Sequence, residues 1–530
     1  MPLAIRPGWW LLGGILIGGA AAYPISRTLL VAKNPPPSTG APAFAGVSGG
    51  FSSPLLDTTA PVPLRRLVLP WESHRAVVLG LTPEVIDNQP GVYAALLELI
   101  RIAAEFVDVG VMYPDHAPDT ETRTTLRVSE MPQAEAISRR LQFIPSSISS
   151  VWVRDTLPQY AIARSNRLVL IDSRSVDLTS DPTQLLGLLS DQRSEEPSRA
   201  SRADRKLKQI FGDDIAPSFL ATYLRFETGE EVRVVRPPLA LDGGDFISLS
   251  TDDVVVSEST LRYNGGRDDE LRATIRDYFG VKRVHFLPTL PGRTIDHLDF
   301  ILQGIDAGVV VIARPPPAPV QPRLHAARLD DRIRKTLTKN RDYLRAHFPK
   351  LRIIELPMLP PIMAAPEQVR EKIRQRITLR LAAQHRIDLD AYWHGPPGNP
   401  AGAAAAAQLK RILAERFGAG TPTDFDRVAR EVLGDSVANL EATFVEDQTI
   451  YRTYVNATLL RAVDGRTAII IPRYHPRNDA ERSMIAAMEE EVLRAYRAAV
   501  PEARLIWLDC DDLINEMGAV HCVTHTVPAR

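Results

Sequence analysis

The sequence predicts an α/β fold, and two observations carry that expectation. From residue 64 onward, short apolar runs rich in β-branched residues alternate with stretches of helical spacing, the pattern of α/β proteins with mixed connections. The alternation is interrupted once, by a long stretch where strand signals almost vanish, and resumes at Tyr451. At 530 residues the chain is too long for one ordinary core, so roughly two to four domains are expected.

The elements follow in order. Residues 1–30 read as a signal peptide or signal anchor: Arg6 is the positive flank, Trp9 to Ala22 an apolar run, and Ala20-Ala21-Ala22 a small-residue cleavage form. An exported protein, periplasmic, extracellular or membrane-anchored through this segment, is therefore expected. Residues 31–63, rich in Pro, Gly, Ser and Ala, read as a flexible tether. Strands are expected at Arg75–Gly80, Val107–Met112, Ile148–Val153, Leu168–Ile171, Arg283–Leu287, Val309–Ile312 and Arg352–Leu356, with a hairpin at Phe246–Leu249 and Val254–Val256. Helices are expected at Val92–Phe106, Asp204–Phe211, Asp269–Tyr278 and Leu329–His347. Residues 363–446 are strongly helical (Glu367–Gln384, Ala401–Phe417, Asp424–Leu433) and read as an insertion, a lid or packing module, with a partner-docking surface the sharper alternative. Residues 447–530 return to α/β: strands Tyr454–Leu460 and Thr467–Ile471 around the Asp464-Gly465 turn, helix Asp479–Val500, and strands Arg504–Leu508 and Ala519–Val523.

Composition excludes some functions. The net charge is -1, which removes the broad electrostatic case for nucleic acid. No GxGxxG or GxxxxGKS/T phosphate loop is present. There are two cysteines, Cys510 and Cys522, and no CxxC pair, so a thiolate zinc site is not expected. In an exported protein the two could form a disulfide; the rival reading is one reactive thiol.

The remaining motifs suit one ligand. A guanidinium is planar, cationic and rich in fork-like donors, so its site needs carboxylates. Attack on its central carbon needs a nucleophile such as a thiolate, which a neighbouring cation stabilises. One imidazole can protonate the departing ammonia and then activate water. The candidates are Cys522, His297, Asp155 and Asp299. Each also has an ordinary structural reading. His297 and Asp299, two apart, would share a face if on a strand. Asp155 could pair with Arg154 or start a turn. Cys522 could be an inert buried thiol, and Leu241-Asp242-Gly243-Gly244-Asp245 a plain turn.

As a set, these motifs resemble the agmatine deiminase and bacterial-type peptidylarginine deiminase family of guanidine-modifying enzymes. The resemblance rests on Pro70-Trp71-Glu72-Ser73-His74, Trp152-Val153-Arg154-Asp155-Thr156-Leu157-Pro158, Leu241-Asp242-Gly243-Gly244, His297-Leu298-Asp299, Tyr454-Val455-Asn456 and Gly518-Ala519-Val520-His521-Cys522-Val523-Thr524, all in the family's order. It covers residues 64–362 and 447–530, as two parts of one catalytic domain. It implies a pentein fold, a five-bladed α/β propeller of pseudo-fivefold ββαβ repeats. It also implies Cys522 as nucleophile through a thiouronium, His297 as acid/base, Asp155 and Asp299 as the guanidinium clamp, and Trp152, Asn456 and Asp242 lining the pocket. No metal or organic cofactor is implied. The implied substrate is agmatine, another small guanidine or an arginine-containing peptide. Amidinotransfer, or a scaffold that binds without turnover, would use the same residues.

Three departures from the family pattern stand out. Glu516-Met517 precede Gly518 where the family has glycines, Leu157 replaces a Gly, and Asp242 replaces a Glu.

Overall fold

The computed structural model describes residues 58–174, 197–229, 231–292, 297–317, 324–363, 366–387, 400–417, 422–447 and 449–529. The leader, most of the tether, and Thr294-Ile295-Asp296 lie outside these. Among the described residues no helix is long and apolar enough to cross a membrane.

The α/β alternation resolves into five sheets built on one motif. In the first unit, Gln159–Ala163 and Leu168–Ile171 pair antiparallel. The helix Pro197–Thr228 follows, and Arg233–Val235 then joins Leu168–Ile171 in parallel. A parallel return requires such a crossover, because a tight turn can only produce an antiparallel neighbour. The second unit repeats this with Phe246–Ser248, Asp253–Ser257, two helices (Glu258–Tyr263, Asp268–Phe279) and Arg283–Leu287. The third uses Leu302–Asp306, Val309–Arg314, Leu324–His347 and Arg352–Pro357. The fourth uses Thr458–Arg461, Thr467–Arg473, Asp479–Ala499 and Arg504–Asp509. The fifth is split across the sequence. His525–Pro528 pairs antiparallel with His74–Gly80, the helix Pro90–Ala103 follows, and Asp108–Pro114 lies parallel to His74–Gly80. Leu64–Leu67 and Leu141–Ser146 add a fourth strand to the first and fifth sheets.

The middle strand of each unit is apolar on both faces. Val254, Val255 and Val256 are fully buried, as are Val310 to Ile312 and Ile469 to Ile471. Strands covered on both sides read as continuous hydrophobic runs, which is why the sequence located all five. The first strand of each unit is different. Residues from all five first strands, among them Tyr160, Ser248, Gln303, Thr458 and His525, line one central cavity.

Between the third and fourth units the chain leaves the sheets through a paired stem. Ile362 and Ile450 exchange both backbone hydrogen bonds at 2.9 Å. Beyond it, helices Pro366–Gln384, Pro400–Phe417, Pro422–Leu433 and Val437–Asp447 pack on an apolar core of their own, with Ile373, Ile377, Leu381 and Val428 at its centre.

Two expected strands are not strands, and a third begins late. Ile148–Val153 is irregular and ends in the helical turn Val153–Thr156. Ala519–Val523 is a turn, and the last strand is His525–Pro528. Tyr454 to Ala457 is likewise turn and bend, with the strand starting at Thr458. All three runs are apolar because they are buried: Val153, Val455, Val520 and Val523 have no exposure. A buried turn and a buried strand ask for the same residue types, so periodicity cannot separate them.

Candidate active site

Each of these three buried turns carries or adjoins candidate residues. In every unit the chain reaches its first strand through a short turn, and that turn holds the candidate residues. Trp152 and Asp155 precede Gln159, and Asp242 precedes Phe246. His297 and Asp299 precede Leu302, Asn456 precedes Thr458, and Cys522 precedes His525. One position, repeated five times, brings together side chains that lie up to 370 residues apart in sequence (Trp152 to Cys522, within the 530-residue chain).

His297 and Asp299 do not share a strand face. Leu298–Phe300 is one turn of 3₁₀ helix with His297 just before it. The turn sends the two side chains into separate clusters.

In one cluster Asp299 is fully buried and its Oδ2 lies 2.6 Å from His521 Nδ1. The same oxygen is 4.0 Å from Cys522 Sγ. The Asn456 amide lies against the sulfur, with Nδ2 at 3.4 Å and Oδ1 at 3.6 Å. Its Oδ1 also accepts the His521 backbone N–H at 3.0 Å, which fixes the Cys522 turn.

In the other cluster His297 stands between two carboxylates. Nδ1 is 3.5 Å from Asp155 Oδ1, and Nε2 is 3.5 Å from Asp242 Oδ2. A Cβ on Gly244 would come within 2.7 Å of His297 Nδ1, so only glycine lets the backbone pass this close to the imidazole. Trp152, half-buried, forms a wall. A Cβ on Gly518 would lie 2.0 Å from its ring.

Charge links the two clusters. Burial alone would push the His297 imidazole down, but Asp155, Asp242 and Asp245 outweigh it and hold the ring well above its usual value. The Asp155 carboxyl is pushed up to about 7 by burial, against the pull of His297 and with the help of Asp242 and Asp299. Burial also pushes the Cys522 thiol well up, and Asp299 and Asp155 add to it. Burial and the two acids thus favour the protonated thiol. Asp155 Oδ1 and Asp299 Oδ1 are buried acceptors with no hydrogen-bond donor among the described residues.

Cys510 and Cys522 are both free and buried, so the disulfide reading does not describe this structure. Arg154 forms no ion pair with Asp155 and acts on it only through its charge. Its Nε donates to the His521 carbonyl at 3.4 Å, and its backbone N–H to the Cys522 carbonyl at 3.1 Å. Pro70-Trp71-Glu72-Ser73-His74 is structural: Glu72 Oε2 receives Arg66 Nη2 at 2.8 Å, and His74 Nδ1 accepts the Arg461 N–H at 3.2 Å.

Sequence reasoning gave no role to His521, Arg154 or Asp245. The first two adjoin assigned residues, and a polar neighbour on each side of a candidate at a turn would have been the signal.

Five copies of one α/β motif thus bring a buried thiol, an imidazole and a set of carboxylates into one acidic, thiol-bearing site. The chain belongs to the family of Porphyromonas-type peptidyl-arginine deiminases, which it matches over residues 66–528. Its fold is similar to those of several solved structures. An agmatine deiminase from C. jejuni shares 14% identity over 88% of this chain and 96% of its own, with a TM-score of 0.51. An arginine deiminase from Porphyromonas gingivalis shares 15% over 87% and 98%, with a TM-score of 0.52. The agmatine deiminase of Enterococcus faecalis shares 14% over 89% and 100%, also at 0.52. No curated protein matches the chain.

Proposed function

We propose that the protein is a hydrolase that deiminates a guanidinium group, on agmatine or on an arginine side chain, to a ureido group and ammonia. The observation that carries this reading is the pair of buried carboxylate oxygens that accept no hydrogen bond among the described residues, Asp299 Oδ1 and Asp155 Oδ1, the latter facing His297 Nδ1 at 3.5 Å, at the same site as Cys522. Carboxylates in that setting match the paired donors of a guanidinium.

The bound cation offsets the two acids that hold the thiol protonated. Sγ then attacks the guanidinium carbon, and Asp299 Oδ2, at 4.0 Å, is placed to take the thiol proton. The tetrahedral adduct expels ammonia, which leaves with the proton of the charged His297 imidazole. Neutral His297 then accepts a proton from water as water attacks the thiouronium carbon. The carbon–sulfur bond breaks, Sγ leaves as thiolate and regains its proton from Asp299, and the hydroxyl proton released as the ureido carbonyl forms converts ammonia to ammonium. Substrate plus water becomes the ureido product plus ammonium.

The family match and the five repeated units support a closed five-bladed propeller around this site. The helices between the third and fourth units, joined by the short stem that leads to Asn456, are assigned as a lid or packing module. The leader supports placement outside the cytoplasm, where an arginine-containing peptide or a scavenged guanidine is the more natural substrate.

The experiment is ammonia release across agmatine, free arginine and arginine-containing peptides, with Cys522→Ala and His297→Ala as controls. Full turnover in either folded variant would sink the reading.

A further inference from the structure

The central cavity lies behind the thiol site. The candidate residues precede the first strands, and the cavity is lined by those strands themselves. Arg154 and His521 belong to the wall of both spaces, whereas Cys522, His297 and the site's carboxylates do not line the cavity.

The two spaces carry opposite charge. The thiol site is ringed by Asp155, Asp242 and Asp299. The cavity lining contains no aspartate or glutamate, and it contains Arg154. Arg154 is 8% exposed. Its only side-chain hydrogen bond among the described residues is from Nε to a carbonyl. Asp299 and Asp155 act on this guanidinium from a distance, but none of the described acids forms an ion pair with it, and a buried guanidinium without a contacting acid is costly.

The other polar groups there are also under-used. Gln303 Nε2 and His525 Nδ1 are buried without a hydrogen-bond partner, and the two residues are 7% and 1% exposed. Tyr160 Oη lies 3.1 Å from His525 Nε2. Burial keeps the phenol protonated and the imidazole neutral. With Tyr160 donating to Nε2, the ring proton sits on Nδ1, so His525 offers a donor.

We propose that this cavity binds a small monovalent anion, of halide size, against the Arg154 guanidinium, with the Gln303 amide and His525 imidazole as further donors. The anion neutralises Arg154 on the side away from the carboxylates. It therefore acts on the thiol site only through Arg154 and His521.

The test uses the full protein in gluconate at fixed ionic strength, with bromide substituted stepwise for gluconate. A saturable rise in Tm is expected, because a ligand that binds only the folded state stabilises it. Crystals soaked in bromide should show an anomalous peak beside Arg154. Gln303→Met and Tyr160→Phe should each shift the bromide midpoint by about tenfold, the loss of one good donor. A Tm that ignores bromide overturns the proposal, as does wild-type response in both variants. A bromide peak without saturable stabilisation, an adventitious ion only, overturns it too. None of these readouts depends on turnover, so failure here is separate from failure of the deiminase reading.

Discussion

His521 Nδ1 and Asp299 Oδ2 meet at 2.6 Å, and that oxygen is also the acid nearest the Cys522 sulfur. Burial, and then the Arg154 charge, push the His521 imidazole down to about 4. It is therefore a neutral donor to Asp299 and not a second acid. This makes His521 the residue that aims Asp299. His521→Ala leaves a buried carboxyl short of a donor, at a cost of about 1–3 kcal/mol, or about 10–100-fold in kcat. His521→Asn, which can still donate, should recover part of that loss. Steady-state ammonia release with a melting curve for each variant checks it. Wild-type turnover in His521→Ala would remove the positioning role.

The two thiols should behave differently. Cys510 has no exposure, and burial pushes its thiol far up. Cys522 sits among groups that suit a cation. A cationic chloroacetamidine reagent should label one thiol per chain, Cys522, and substrate should protect it. Peptide mapping by mass spectrometry reads this directly. Labelling of Cys510 at a comparable rate, or no substrate protection, contradicts the assignment.

The site was legible in the sequence as residue types, and less so as geometry. Cys522, Asp299 and Asn456 do meet, and so do His297, Asp155 and Asp242. What spacing could not supply was the turn that separates His297 from Asp299, because an HxD pair reads alike on a strand and before a 3₁₀ turn. The sheets show the same divide. Middle strands such as Val309–Arg314 are apolar on both faces and were plain. Inner strands such as Gln159–Ala163, Leu302–Asp306 and His525–Pro528 face the cavity with Tyr160, Gln303 and His525, so their apolar pattern is broken.

Asp155 should pull stability down as pH rises from about 4 to about 7, against the buried histidines His74, His521 and His525, whose lowered values favour folding as pH rises toward 6.5. The Asp155 carboxyl is at about 7 in the folded protein, against 3.8 ordinarily. Between those values the folded state holds a proton that the unfolded chain has released, so each step up in pH favours unfolding. His297 acts with the same sign. Its pKa is raised above 6.5, so its contribution is complete below 6.5 and is lost as pH rises through the folded value. Asp172, pushed up to about 7 mainly by burial, shares the Asp155 window. Urea midpoints should be measured from pH 4 to 8 in the wild type and in Asp155→Asn, which also loses activity. The wild-type midpoint should fall relative to that of the variant between about pH 4 and 7, because the variant lacks the Asp155 contribution. An unchanged slope in that variant would show that Asp155 titrates normally.

The pocket rim offers a pair of substitutions with opposite expectations. Met517 has φ of +69°, a left-handed conformation that side chains with a Cβ adopt at a cost of about 1–2 kcal/mol. It is 45% exposed, so its side chain contributes little packing. Met517→Gly removes the strain but adds freedom to the unfolded chain, about 0.5–1 kcal/mol in the other direction. The melting temperature should therefore stay within a few degrees of the wild type or rise. Gly518, next in sequence, has no such latitude. A Cβ there would lie 2.0 Å from the Trp152 ring, whose rigid indole must move for it to fit. Gly518→Ala should therefore displace the wall of the site and raise KM for every guanidine tested. Its effect on stability should be smaller, because Trp152 is only half-buried. If Trp152 binds substrate, Trp152→Phe in the Gly518→Ala background should recover some of the lost affinity by making room. No recovery in the double variant would mean that Gly518 is needed for the path of its own backbone, and that the indole contact is incidental.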